Sequence, residues 1–263
     1  MPELPDVEVF RRHLAATSLH RTVERVRVSD TTALRETSRP RLRRALSGQE
    51  LTRTRRHGKH LFTDLSGEGW LVMHFGMTGY LQHTKDGVRP PRHTRVLFEF
   101  ADGSSLAYVD QRRLGFVSLA DAPDEYAEAH RLGPDALTLS AADLRDLLQD
   151  RRGAVKSALM DQELVAGVGN IYSDEILFHA RIDPKAPAAA LDQAAVRRLH
   201  RQLRRVLRLA ADRGADPERL PDSWLLPHRE DGAPCPRGNG EVRKFTMSGR
   251  GAFYCPACQR STG

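Results

Sequence analysis

The second residue of the chain is a proline and the third a glutamate. Removal of Met1 would leave a secondary amine at the N-terminus with a carboxyl group one residue away. An α-amine titrates near pH 8, so roughly a quarter of it is free base at pH 7.4, against about a thousandth of an ordinary lysine. A secondary amine that adds to a sugar aldehyde can lose water only by becoming a cationic iminium. That cation is an electron sink which drives β-elimination without further protonation. Beside this reading stands a plainer one, in which Pro2 lets Met1 be clipped and opens a helix.

A second group with chemical potential lies at the other end of the chain. Cys235, Cys255 and Cys258 are its only cysteines. Three thiols so close together cannot build a disulfide framework and read as a local metal or redox feature. Lysine and arginine number 41 against 34 acidic residues, an excess of 7, and the isoelectric point is about 9.7. This balance suits an anionic partner such as nucleic acid. Only Lys59, Lys85, Lys156, Lys185 and Lys244 are lysines; a coding bias can explain so many arginines, so each lysine stands out. The sequence shows neither an apolar run of the ~18 residues that a membrane span needs nor a signal-peptide pattern.

The elements that must position these groups divide into two compositions. Val7, Phe10 and Leu14 recur at helical spacing after Pro5, predicting a helix from Pro5 to about Thr17 that clusters Pro2, Glu3 and Asp6 at its start. From Thr22 to Leu119, short runs rich in Val, Leu and Phe predict strands at 23–28, 50–55, 60–65, 70–75, 94–100, 105–109 and 116–119, a β-sandwich or barrel. Residues 121–137 read as a polar connection. Helices follow: one opened by a capping box at Ser140, short ones at 154–160 and 171–180 flanking Gly167-Val-Gly-Asn170, and a long amphipathic one ending at Gly214. Asn170 is the expected N-cap of its helix, and Pro184 the expected stop. After a loop at 215–233, a hairpin is expected over 241–254, turning at Ser248-Gly-Arg-Gly251.

Four blocks in order, Pro2-Glu-Leu-Pro-Asp-Val-Glu8, His74-Phe-Gly-Met-Thr-Gly79, Leu164 to Leu177, and Arg250-Gly-Ala-Phe-Tyr-Cys255-Pro-Ala-Cys258, resemble the signatures of the Fpg/Nei family of DNA glycosylases. The resemblance spans essentially the whole chain. It implies an α+β fold: a catalytic N-terminal β-sandwich domain at 1–120, a linker at 121–139, a helix-two-turn-helix DNA-binding domain at 140–233 and a zinc-finger-like hairpin at 234–263. It also implies a base excision repair enzyme, a DNA glycosylase coupled to an abasic-site lyase. Such a protein would be a cytoplasmic, nucleoid-associated monomer, with double-stranded DNA containing oxidised bases or abasic sites in a basic cleft between the domains.

Residue by residue, the resemblance makes Pro2 the nucleophile at C1′ of a flipped nucleotide and Glu3 the group that moves protons at the sugar and the amine. Asp6 stands where many relatives carry glutamate, either supporting catalysis or capping the first helix. Lys59, in Arg56-His-Gly-Lys-His-Leu61, matches a hairpin lysine that contacts phosphate beside the lesion, and Lys156 a second lysine near the damaged base. His74 opens the intercalation-loop block. Asn170 would cap its helix and donate to a phosphate, and Arg250 would grip the phosphates flanking the flipped nucleotide. Met77 and Arg112 match two of the residues that fill the vacated stack, with Met77 otherwise a core residue. Leu114 departs from the family's aromatic third member, keeping an apolar wedge without a π-face.

The finger also departs from the family pattern. Cys235-Pro-Arg-Gly238 places glycine where a fourth thiolate belongs. The alternatives are a structural zinc held by three thiolates and completed by water or His228, or a finger that folds without metal. Pro-Glu-Leu-Pro with Met77 and Arg112 leans toward the branch that removes oxidised purines, whereas the short stretch from Gly214 to Cys235 and Leu114 leave oxidised pyrimidines and bare abasic sites open. Two other readings remain: a lesion-binding protein of the same fold that does not cut, and an N-terminal-proline tautomerase.

Overall fold

A proline in the first turn and buried Val7 and Leu14 one face apart make the first element α1, Leu4–Ser18. The structure is a computed structural model describing residues 1–238 and 240–260. Its chain divides into two compact units: Met1–Pro2 with Asp6–Arg131, and Glu3–Pro5 with the chain from Leu132 onward. The three residues after Pro2 therefore belong to the second core, and Leu4 is buried in it.

The first unit is an antiparallel β-sandwich of two four-stranded sheets. One sheet runs in the order β1 (Val23–Val28), β6 (Thr94–Phe100), β7 (Ser105–Val109), β5 (Tyr80–Thr84). The other runs β2 (Leu51–His57), β3 (His60–Leu65), β4 (Trp70–His74), β8 (Phe116–Ala120). Side chains alternate across each strand, and Val26, Leu61, Leu71, Met73, Phe98, Leu106 and Tyr108 meet Val7 and Leu14 in one core. Strand β5 is unannounced in the sequence because its outward residues Tyr80 and Gln82 are exposed and little but Leu81 marks its inner face. Helix α2 (Arg39–Leu46) is likewise unannounced: four of its eight residues are arginine, and only Leu42 and Leu46 are buried.

The expected linker at 121–139 does not exist as a separate segment. Residues Pro123–Ala129 form α3, whose Tyr126 packs with Phe62, Trp70 and Val72 in the first unit. Ala136 and Leu139 are buried in the core of the second. Polar residues on the outer face of α3 concealed that anchoring from a reading by composition.

The second unit holds α4 (Ala141–Gln149), α5 (Val155–Met160), α6 (Asn170–Ala180) and α7 (Gln193–Asp212). Ser140 and Asp143 form the expected reciprocal capping box of α4. The expected face of α7, from Val196 to Ala210, is buried. Helix α6 stops at Arg181 in the left-handed conformation, ahead of Pro184. The unit ends in the hairpin β9 (Arg243–Met247) and β10 (Arg250–Tyr254). Its turn is the pair Ser248-Gly249, both at positive φ, so Arg250 is the first residue of β10 rather than part of the turn. Among the described residues, no helix is long and apolar enough to cross a membrane.

Candidate active site

In the second unit the site is organised by the N-terminus of α6. Four amides at a helix start lack intrahelical partners and attract an anion. Here the anion comes from the chain itself. Glu3, 1 % exposed, accepts hydrogen bonds from the backbone amides of Gly169 (2.8 Å), Ile171 (2.8 Å) and Tyr172 (3.2 Å). The Leu4 amide adds a bond to the Gly167 carbonyl at 3.1 Å. Only glycine fits at position 169, since a Cβ there would lie 2.3 Å from the Glu3 carboxyl carbon.

This corrects the reading of Asn170. The N-cap is Gly169, Asn170 is the first helical residue, and Glu3 takes the amides of Gly169, Ile171 and Tyr172. The Asn170 side chain turns instead to the hairpin, where its Nδ2 donates to the Gly251 carbonyl at 2.9 Å, one residue from Arg250. Arg250 itself is exposed.

Lys156 is enclosed by the same helix. It is 0 % exposed, with Nζ 2.6 Å from Asp174 Oδ1, 2.7 Å from Ser173 Oγ and 2.9 Å from the Asn170 carbonyl. The other Asp174 oxygen accepts from Arg229 Nη1 (2.5 Å) and the Phe253 amide (3.0 Å). Burial pushes the Lys156 ammonium down and the Asp174 carboxyl up, while the pair's attraction and Arg229 act the other way on Asp174. Asp174 thus ties α5, α6, the segment at Arg229 and β10 together. The sequence offered no signal for it beyond an acidic residue inside an apolar helix.

In the first unit two loops lie against each other. The loop from His74 to Gly79 carries Met77, 39 % exposed, and the loop from Asp110 to Gly115 carries exposed Arg112 and Leu114, 48 % exposed. Met77 is therefore not a core residue. Asp110, itself 0 % exposed, holds both loops: it accepts from Thr78 Oγ1 (2.8 Å), the Arg112 amide (3.2 Å) and the Gly115 amide (2.8 Å). Gly76 sits at φ +56°, and a Cβ there would lie 2.4 Å from the Gly115 nitrogen, so at this point the two backbones meet with no room for a side chain. Asp110 reads in the sequence as an ordinary loop aspartate; only its burial reveals the clamp.

His74 closes the base of this feature. Its ring stacks on Phe116 with centroids 5.2 Å apart, and its Nδ1 accepts from the Gly76 amide at 3.3 Å. Burial, with Lys59 and Arg35 nearby, lowers its pKa to about 4, so it is a neutral acceptor at physiological pH. Lys59 occupies the tip of the β2–β3 hairpin beside Gly58, between the paired His57 and His60. Pro2 is half-buried, and Asp6 lies in the first turn of α1, where a carboxylate suits the helix dipole.

The three cysteines meet in the second unit. They are buried, and their sulfurs all lie within 4.8 Å of one another. Zinc holds thiolates at about 2.3 Å, which sets tetrahedral corners about 3.8 Å apart, so these sulfurs fit three corners of such a site. His228 is not the fourth: its Nε2 contacts the Asp222 carbonyl at 2.8 Å, and the cluster contains cysteines alone among the described residues.

A β-sandwich joined to a helix-two-turn-helix module and a cysteine-bearing hairpin defines a class of DNA glycosylases. The family model of the formamidopyrimidine-DNA glycosylase N-terminal domain matches residues 1–117, and that of the formamidopyrimidine-DNA glycosylase H2TH domain matches residues 132–220. The chain belongs to the formamidopyrimidine-DNA glycosylase family, within Fpg/Nei. It is 37 % identical to a formamidopyrimidine-DNA glycosylase of Pseudomonas paraeruginosa, over 99 % of this chain and all of the relative, and 36 % identical to that of Halorhodospira halophila with the same coverage. Among solved structures, Lactococcus lactis Fpg in complex with DNA containing N7-benzyl-Fapy-dG superposes with a TM-score of 0.90 at 26 % identity, covering 99 % of this chain and all of that one. The Lactococcus lactis protein bound to DNA with an abasic site gives 0.89 at 26 %, with the same coverage.

Proposed function

We propose that this glycosylase is bifunctional, excising an oxidised base from duplex DNA and then cutting the strand at the abasic site through an iminium on Pro2. The observation that carries the reading is the Glu3 carboxylate bound by three amides of the α6 N-terminus, which fixes the residue next to Pro2 against a rigid element. The Lactococcus lactis relatives bound to Fapy-dG and abasic DNA support both substrates. Once Met1 is removed, the Pro2 nitrogen bonds to C1′ as the C1′–N glycosidic bond breaks and the base departs. The amine proton passes through Glu3 to O4′ as the C1′–O4′ bond opens, leaving the iminium. Loss of the C2′ proton then expels the 3′ phosphate, and a second elimination expels the 5′ phosphate.

Lys59 and Arg250 bind phosphates, and Met77, Arg112 and Leu114 occupy the space the flipped nucleotide leaves. His74 supports the Met77 loop. Lys156 and Asn170 act through position: one secures α6, the other secures the hairpin that bears Arg250. No step uses the cysteine cluster.

Borohydride trapping on abasic duplex DNA tests the mechanism. The Met-processed protein gives a covalent adduct that Pro2→Gly abolishes. Salt-dependent binding with no adduct and no incision of a lesion panel would instead establish a non-cutting lesion binder.

A further inference from the structure

Alternation along β2 gives its two faces different partners. Arg53 and Arg55 turn one way, to Asp64 of β3 and Asp124 of α3. Thr54 and Arg56 turn the other way, to α1. There Arg11 Nη1 donates to Thr54 Oγ1 at 3.1 Å, and Arg56 Nε lies 3.5 Å from Glu8 Oε2.

Glu8 is the centre of this contact. It accepts from Arg11 Nε (3.0 Å) and Nη2 (2.8 Å) and from Arg12 Nε (3.0 Å). Those two arginines share its helix, whereas Arg56 carries the carboxylate's hold to another element. The Arg56 and Glu8 side chains are only 9 % and 14 % exposed, so water screens the pair less than an ordinary surface ion pair. Burial pushes the Glu8 carboxyl up, but the guanidinium groups outweigh it and hold it below its ordinary value.

Arg56 makes a second contact with the other end of its fork. Its Nη1 donates to the Gly58 carbonyl at 3.1 Å. Gly58, at φ +54°, and Lys59 form the two-residue turn between the paired His57 and His60. The accepting carbonyl belongs to the planar peptide that joins Gly58 to Lys59. Fixing that plane fixes the direction in which Lys59 leaves the turn. A planar guanidinium can serve the carboxylate and the carbonyl at once, which a lysine ammonium on a flexible stem does not reproduce.

We propose that Arg56 is a positioning residue: held by Glu8 of α1, it orients the Gly58–Lys59 peptide and so sets Lys59 toward the phosphate beside the nucleotide that Pro2 attacks. This role rests on Lys59 binding phosphate, as in the function proposed above. It joins the helix that follows Pro2 to the turn that carries Lys59, within the first unit.

A double-mutant cycle tests it on duplex DNA containing a reduced abasic site, which is bound without reacting. Lys59→Ala should weaken binding about tenfold or more, the loss of one charge-assisted contact, and lower the slope of log Kd against log salt by about 1. Arg56→Gln should weaken binding about fivefold or more. The double variant should stay within about twofold of Lys59→Ala, as residues acting through one contact require. Arg56→Lys should not restore binding. Glu8→Gln should show the same coupling to Lys59→Ala, and it replaces the Arg56 variants if they fail to fold. Losses that multiply, with a slope lowered by about 2 in the double variant, would show that Arg56 binds phosphate itself, and full rescue by Arg56→Lys would show that charge alone suffices; either overturns the positioning role. Wild-type binding by Lys59→Ala would instead remove the phosphate contact on which the role rests.

Discussion

Glu3 accepts a hydrogen bond from the backbone amide of Ile171 at 2.8 Å, across 168 positions of the chain. The carboxylate that the proposed mechanism needs beside Pro2 is thereby also the cap of α6. Position and chemistry are combined in one side chain, so a substitution disturbs both and a measurement must separate them.

In Glu3→Gln the amide NH₂ would face at least one backbone N–H where an oxygen now accepts. A buried donor set against a donor costs about 1–3 kcal/mol. The expected outcome is a protein still folded at 25 °C, with a urea midpoint lowered in proportion, and with no borohydride-trapped adduct. Glu3→Asp should stay folded with a slowed adduct, because the carboxylate survives at shorter reach. Normal trapping by Glu3→Gln would sink the proton-transfer role and leave the cap alone.

Asp110 joins the two loops that carry Met77, Arg112 and Leu114. Asp110→Ala would strand two amides and a threonine hydroxyl, a loss of about 2–4 kcal/mol. Affinity for damaged duplex should fall while trapping at saturating abasic DNA stays near normal, because the nucleophile is untouched. Measured Kd and single-turnover rates distinguish this from a defect in chemistry. Equal losses in both would show that the loops do more than hold the duplex open.

The Lys156–Asp174 pair is buried on both sides, so breaking it differs from replacing it. Lys156→Met alone should destabilise by about 3–5 kcal/mol, because Asp174 keeps only Arg229 and the Phe253 amide. Lys156→Met with Asp174→Leu should recover part of that loss in chemical denaturation. If Lys156 acts only by position, the double variant should regain trapping in step with its stability. Recovered stability without recovered trapping would return Lys156 to a direct role at the base.

His74 and His60 are buried against Phe116, Tyr126 and each other, and both pKa values are lowered, that of His74 to about 4, chiefly by burial. The unfolded chain protonates these rings near pH 6.5 while the folded one does not. Their contribution to stability is whole above about pH 6.5 and is lost as pH falls toward 4. For His74 alone the loss is on the order of 3 kcal/mol. Urea midpoints at pH 7.5 and 4.5 measure it, and His74→Gln should flatten the difference. An unchanged slope would place the acid sensitivity elsewhere, for instance in the carboxylates.

The strands of the sandwich and the long face of α7 were legible in the sequence because alternation and helical spacing act over several residues at once. Strand β5 and helix α2 were hidden because their buried sides rest on one or two residues amid exposed polar ones. The cap of α6 was misread for a different reason. Asn170 has the right chemistry for an N-cap, but Glu3 reaches the same amides from the far end of the chain, and no local pattern announces so distant a competitor. Asp110 and Asp174 share that property: their importance lies in what surrounds them.

In the proposed function, Leu114 is a wedge without a π-face. Its side chain is 48 % exposed, while its backbone lies against Gly76 and beside Gly115, whose amide Asp110 holds, so a larger side chain points outward from a fixed backbone. Leu114→Phe should leave the denaturation midpoint unchanged. An aromatic face can stack on an exposed base, worth about 1–3 kcal/mol, whereas leucine offers only apolar contact. The variant should therefore bind duplex containing a lesion or an abasic site about five- to 150-fold more tightly, the factor to which that stacking energy corresponds. Binding to intact duplex should change less, because no vacated stack is available to fill. An equal gain on both DNAs would mean that position 114 contacts DNA without wedging into it, and Met77 and Arg112 would then carry the intercalation alone.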